Sequence, residues 1–133
     1  MKKEFTCFLI DDDIDDKEIF LSVLQEIAPS IRCFTASNGQ EAINKLTSAE
    51  IKPDLIFLDL NMPLMNGKQF LKACGLLEEC RDIPVIILTT SSDSKSMEET
   101  RQLGARDYIT KPAKFSAWGS IIREKINTYR MGT

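Results

Sequence analysis

The chain contains no histidine. That excludes a histidine-based catalytic dyad, a histidine-containing zinc site and a histidine phospho-carrier, so any acid, base or nucleophile is a carboxylate, hydroxyl, thiol or amine. No apolar run approaches the roughly 20 residues that a spanning helix needs. Met-Lys-Lys-Glu at the start leads directly into a short strand-like run, so no membrane association and a cytoplasmic location are expected. A basic excess is missing too: the net charge is -3, without the electrostatic footprint of a nucleic-acid binder. The four cysteines have no metal-type spacing. Cys7 and Cys33 fall inside apparent strands and Cys74 and Cys80 around a helix end, which predicts free, buried thiols in a reduced compartment and no disulfide framework. Repeats, low-complexity tracts and linkers are absent, and 133 residues suffice for one domain, 1–133, with no separate output domain.

What is present alternates. Phe5 to Ile10 is a β-rich run that stops at Asp11-Asp12-Asp13-Ile14-Asp15-Asp16. Ile19, Phe20, Val23, Leu24 and Ile27 then repeat at helical spacing until Pro29. Asp15 and Asp16 at that helix start complement the macrodipole without further function. Three Asp before them exceed the single side chain that a cap requires. Ile31 to Ala36 reads as a second strand, and Asn38 with Glu41 resembles a capping box opening a helix through Ala42, Ile43, Leu46 and Ala49. After Lys52-Pro53, Leu55 to Leu58 run without a break into Asp59, and Pro63 and Asn66-Gly67 turn the chain. A third helix carries Phe70, Leu71, Cys74 and Leu77. Pro84 to Leu88 is another uninterrupted strand, ending at Thr89-Thr90-Ser91-Ser92. Asp93 to Leu103 is helical in composition with a narrow apolar stripe, chiefly Met97 and Leu103, and Gly104 takes the left-handed cap position. Asp107 to Thr110 is a fifth strand followed by Lys111-Pro112. Phe115, Trp118, Ile122, Ile126 and Tyr129 lie on one face of a last helix.

Five strands alternating with five helices predict an α/β, doubly wound parallel sheet with helices on both faces. In such a sheet the residues that follow strands one, three, four and five gather at one edge. Those residues are Asp11 to Asp13, Asp59 to Asn61, Thr89 to Ser91, and Lys111. Asp59 alone could simply cap a turn. Beside other carboxylates it acquires a chemistry, because clustered carboxylates raise a pKa or recruit a cation. With only oxygen donors the cation is a hard one, Mg²⁺, with Mn²⁺ or Ca²⁺ as alternatives. A carboxylate can act as nucleophile on phosphorus, and a cation, an ammonium and a hydroxyl can stabilise the three oxygens of the transferred group.

These residues carry a family likeness. The acidic pair Asp11-Asp12, the motif Leu-Asp-Leu-Asn-Met-Pro-Leu-Met-Asn-Gly around Asp59, Thr89 and Lys111-Pro112 resemble the receiver domain of bacterial two-component response regulators, over essentially the full chain. Thr89 follows Asp59 by 30 residues and Lys111 follows Thr89 by 22, intervals typical of that family. The resemblance is to the single-domain, chemotaxis-regulator-like type. It implies a flavodoxin-like (βα)5 sandwich with strand order 2-1-3-4-5. It implies Asp59 as phospho-acceptor and Asp12, Asp59, the Asn61 backbone carbonyl and, through water, Asp11 as Mg²⁺ ligands. Thr89 becomes the switch hydroxyl, Tyr108 the aromatic that follows it, and Lys111-Pro112 a cis bond. The implied partners are a sensor histidine kinase or histidine phosphotransfer protein and a downstream protein target. The implied output is a conformational change of the fourth-helix, fifth-strand and last-helix face, in a monomer or a weak phosphorylation-dependent dimer.

The expected role is therefore a stand-alone phosphorelay regulator, a signalling phospho-acceptor and not an enzyme acting on a free substrate. Other classes fit less well. A Mg²⁺-dependent aspartyl phosphatase usually has a second Asp two residues after its nucleophile as general acid, and Asn61 stands there. A flavin carrier needs hydroxyls and backbone N–H groups after the first strand, where this chain is acidic. A phosphorylation-independent scaffold leaves the complete set of strand-end groups without a purpose.

Overall fold

Alternation along the central strands decides which helix layer each residue meets. The computed structural model describes residues 4–131. Strands β1 (Thr6–Ile10), β2 (Arg32–Ala36), β3 (Leu55–Leu58), β4 (Val85–Thr89) and β5 (Asp107–Thr110) form one parallel sheet in the order β2-β1-β3-β4-β5. Between and after them run α1 (Ile14–Ile27), α2 (Gly39–Thr47), α3 (Gly67–Gly75), α4 (Ser94–Gln102) and α5 (Phe115–Met131). This is the doubly wound order expected. The uninterrupted apolar runs are the wholly buried strands β3 and β4, while β2 and β5 sit at the edges and are partly exposed.

Phe8, Ile10, Ile56, Leu58, Val85 and Ile87 face one layer, packed with Leu46 of α2 and Phe70 and Leu71 of α3. Their strand neighbours Leu9, Leu55, Phe57, Ile86 and Leu88 face the other, against Phe20, Val23 and Leu24 of α1 and Trp118, Ile122 and Ile126 of α5. Phe20 meets Phe57 edge to face, ring centroids 4.9 Å apart. Each such side chain contributes roughly 1.5–3 kcal/mol of burial. Phe115, grouped with the buried face of the last helix by spacing, is instead 58% exposed at the first residue of α5. In α4 only Thr100 is buried, so the thin apolar stripe is a real feature of the fold.

Helix ends follow local chemistry. Asp13 caps α1, its side chain accepting from the Asp16 amide at 3.0 Å. Asn38 caps α2, which ends at Thr47 ahead of the expected Ala49; that residue has left the helix with φ 59. Asn66 and Gln69 form a reciprocal capping box at α3. Gly104 has φ 108, the left-handed conformation expected after α4.

One expectation fails outright. Cys74 and Cys80 form a disulfide, with Cα atoms 5.0 Å apart, within normal bridging range. The chain after α3 turns back on itself, the Cys80 amide donating to the Leu77 carbonyl at 3.1 Å and the Ile83 amide to the Cys80 carbonyl at 2.9 Å. Cys7 and Cys33 are free, as expected. They face each other in register on β1 and β2, and burial pushes both thiols up, Cys33 to about 12.

The turn after β3 is seated tightly on the strand end. The Gly67 amide donates to the Leu60 carbonyl at 3.0 Å, and a Cβ on Gly67 would lie 2.6 Å from the Asp59 carbonyl oxygen and 2.7 Å from the Leu60 Cα. Both neighbours are backbone and cannot yield cheaply. Gly67→Ala is expected to destabilise the fold by about 1–3 kcal/mol, as overpacking does elsewhere. Urea unfolding measures it, and an unchanged midpoint contradicts the tight seat.

Candidate functional site

Four strand ends deliver their polar residues to one edge of the sheet. Asp11 directly follows β1 and Asp59 directly follows β3, the Asp59 amide still donating to the Ile10 carbonyl at 2.9 Å. Thr89 is the last residue of β4, and its carbonyl accepts from the Lys111 amide at 2.7 Å just beyond β5. Asp11, Asp59 and Thr89 are buried and Asp12 is exposed. The carboxylates of Asp11, Asp12 and Asp59 bring oxygens within 4.8 Å of one another.

Lys111 ties this group together. Its ammonium lies 2.8 Å from Asp11 Oδ2, 2.7 Å from Asp16 Oδ2 and 3.7 Å from Asp59 Oδ2, on a side chain only 5% exposed. The other oxygens are held by backbone: Asp11 Oδ1 accepts from the Asp13 amide at 2.9 Å and Asp59 Oδ1 from the Leu60 amide at 2.8 Å. Burial works against the charge of Lys111, but the bonds to Asp11 and Asp16 outweigh it and hold the ammonium above its ordinary pKa. Burial pushes the Asp11 carboxyl up to about 6, opposed by Lys111 and the Asp13 amide and reinforced by the charge of Asp59.

The donor set answers what the site can hold. Like charges at about 4.8 Å repel by roughly 3 kcal/mol at an effective dielectric near 20. One ammonium does not balance Asp11, Asp12, Asp16 and Asp59. Oxygen donors with surplus negative charge, and neither imidazole nor thiolate, suit a hard divalent cation. The residues present therefore fit a metal of the Mg²⁺ class.

The other expected residues lie around this edge. Asn61 is exposed, and its side-chain amide donates to Ser91 Oγ at 3.3 Å. Tyr108 is half-buried, its hydroxyl donating to the Ser91 carbonyl at 2.7 Å, so Ser91 joins the two. The third consecutive Asp has its own task, since Asp13 is the α1 cap. Asp16, assigned only to the helix dipole by its position, proved to be a partner of Lys111. The signal available in sequence was a surplus carboxylate one turn inside a capped helix, but its partner lies 95 residues away. The cis Lys111–Pro112 bond is also corrected: there is no cis peptide bond among the described residues. Trans is the intrinsic preference by about 0.5–1 kcal/mol. In that geometry the Lys111 amide reaches Thr89 and the Pro112 carbonyl accepts from Trp118 Nε1 at 3.2 Å.

Comparison with known proteins places these features. Residues 7–123 match the family described as response regulator receiver domain. A protein-glutamate methylesterase/protein-glutamine glutaminase of Desulfotalea psychrophila is 35% identical over 142 residues, covering 97% of this chain and 36% of that protein. The probable C4-dicarboxylate response regulator DctR of Bacillus subtilis is 31% identical over 129 residues, covering 97% of this chain and 55% of that protein. The chain thus spans about a third to about half the length of these relatives. Among solved structures, the phosphorylated cyanobacterial phytochrome response regulator RcpA superposes with a TM-score of 0.91 at 26% identity, covering 98% of this chain and 97% of that one. The chemotaxis protein CheY4 of Vibrio cholerae gives a TM-score of 0.78 at 25% identity, covering 92% and 98%. No described helix is long and apolar enough to cross a membrane. With the family matched across most of its length and the sheet wound in the same order, the chain belongs to the response regulator receiver domains, the receiving components of two-component signalling.

Proposed function

We propose that this receiver accepts a phosphoryl group on Asp59 from the phosphohistidine of a sensor histidine kinase or histidine phosphotransfer protein. The observation that carries the reading is the convergence of Asp11, Asp12 and Asp59 with Lys111 at the carboxyl edge of the sheet. Asp59 Oδ1 is occupied by the Leu60 amide, which leaves Oδ2, the oxygen turned towards Lys111, as the nucleophile. It forms the new bond to phosphorus while the phosphorus–nitrogen bond of the donor breaks and the imidazole keeps the electron pair. Lys111 supplies positive charge to the transferred oxygens, and the buried Thr89 hydroxyl is a donor for another.

Asp12, Asp59 and the Asn61 carbonyl directly, and Asp11 through water, would hold Mg²⁺, with Mn²⁺ as an alternative. A divalent cation there neutralises charge on the phosphoryl oxygens. Asn61 offers no acid to a leaving group, which supports a phospho-acceptor that assists its own phosphorylation over a phosphatase of free substrates. Output runs through the α4, β5 and α5 face. Thr89, Ser91 and Tyr108 connect it to the site, and α4 is the helix with fewest buried residues.

Two measurements test this. A small acyl-phosphate donor with Mg²⁺ is expected to add one phosphoryl group to the native protein and none to Asp59→Asn, read by intact mass. Equal labelling of the Asn variant at the same sites sinks the assignment. The second concerns pH. With its pKa raised to about 6, Asp11 favours the protonated folded state, so its share of metal-free stability is full below about pH 4 and is lost as pH rises through 6. Mg²⁺ needs the ionised form, so the Mg²⁺-induced rise in Tm is expected to be small near pH 5 and to reach its full value above about pH 7. A shift that stays flat over that range in thermal unfolding contradicts the role given to Asp11.

A further inference from the structure

We propose that Asp16 is a positioning residue that keeps the Lys111 ammonium from competing with a cation for Asp11 and Asp59. The inference rests on reading this edge of the sheet as a Mg²⁺-assisted phospho-acceptor site.

Lys111 has three ammonium hydrogens and a side chain almost fully withdrawn from water, so it must find partners inside the protein. Its partners are Asp16 at 2.7 Å and Asp11 at 2.8 Å; Asp59 at 3.7 Å is beyond hydrogen-bond reach. Of these carboxylates Asp16 alone stands outside the metal-capable group of Asp11, Asp12 and Asp59. Its side chain is also spare with respect to the helix. The α1 cap is Asp13, and Asp16 contributes to that cap only its amide.

The backbone connects the parts. Asp11 Oδ1 accepts from the Asp13 amide, and Asp13 Oδ1 accepts from the Asp16 amide. The two carboxylates that grip Lys111 are thus fixed relative to each other by one short turn. Asp11 has both oxygens engaged, one by the Asp13 amide and one by Lys111. A cation drawing on Asp11 takes it partly from Lys111, and Asp16 is what the ammonium retains. Without Asp16, the buried ammonium has only Asp11 and Asp59 to turn to, both of them ligands that the cation needs. Removing Asp16 therefore weakens cation binding through Lys111, although Asp16 is not itself a ligand.

A simple charge effect makes a different forecast. If Asp16 merely adds negative potential, Asp16→Asn weakens Mg²⁺ binding whether or not Lys111 is there. A double-mutant cycle separates the two. Mg²⁺ affinity is measured by calorimetry in the full chain for the native protein, Asp16→Asn, Lys111→Met and the double variant, with Lys111→Gln replacing Lys111→Met if the latter does not fold. The expected result is a loss of about tenfold on Asp16→Asn in the native background and less than twofold in the Lys111 variant, within the coupling found for charged pairs in contact. Urea unfolding of the same four proteins in chelator is expected to give non-additive changes in midpoint, a metal-free reading of the same contact. Equal losses of Mg²⁺ affinity in both backgrounds, or no loss in either, overturn the proposal. Failure of the native protein to bind Mg²⁺ at all removes the site reading beneath it, and the first titration tells that case apart.

Discussion

A single buried ammonium sets the terms for the rest of this structure. Lys111 sits where β1, β3 and β4 end, with carboxylates from just beyond β1 and β3 and from α1 around it and its own amide on the last carbonyl of β4. Charges withdrawn from water cost several kcal/mol each, and their mutual attraction repays this only with good geometry and full hydrogen bonding. Such a cluster is weak evidence for stability. Its value is positional: every strand end that meets Lys111 is held in register with the others, and the surplus of carboxylates leaves the edge short of positive charge.

The layers beneath make that edge rigid. Leu55 to Leu58 are fully buried with alternate residues gripped by α1 and α5 on one side and α2 and α3 on the other. Asp59 continues the ladder from β3 before the chain leaves the sheet, and Gly67 returns so closely that a methyl group does not fit. The proposed nucleophile is consequently fixed by main-chain contacts to Ile10 and against Gly67, and not by its side-chain partners alone.

The parts legible in sequence were those governed by local pattern. Unbroken apolar runs identified β3 and β4 as central strands, with Asp59 just beyond the first and Thr89 at the end of the second. Asn38 and Gly104 announced helix boundaries through side-chain and φ requirements that operate within a few residues, whereas Asn66, read only as part of a turn, caps α3. What escaped depended on tertiary placement. Spacing cannot say that the chain after α3 doubles back to bring Cys80 to Cys74, nor that Asp16 in the first turn of α1 faces Lys111 across the fold. Phe115 fits the period of α5, yet as the first residue of that helix it stays exposed, which periodicity does not register. The trans bond before Pro112 illustrates the same limit for a feature inferred by likeness.

The scarcity of buried surface in α4 has an energetic meaning. Its one buried residue, Thr100, turns its hydroxyl back to the Ser96 carbonyl of the same helix and so adds no polar tie to the sheet. The ion pair from Glu99 to Lys68 of α3 is substantially exposed and so screened by solvent, a weak tie. Helices with so little apolar anchorage occupy the low end of a protein's range of local opening energies. For a helix anchored this lightly, one or two charge-assisted hydrogen bonds are comparable in size to its whole anchorage. A firmly seated strand-end site thus lies beside a lightly anchored helix, the arrangement that the proposed output through α4 would draw on.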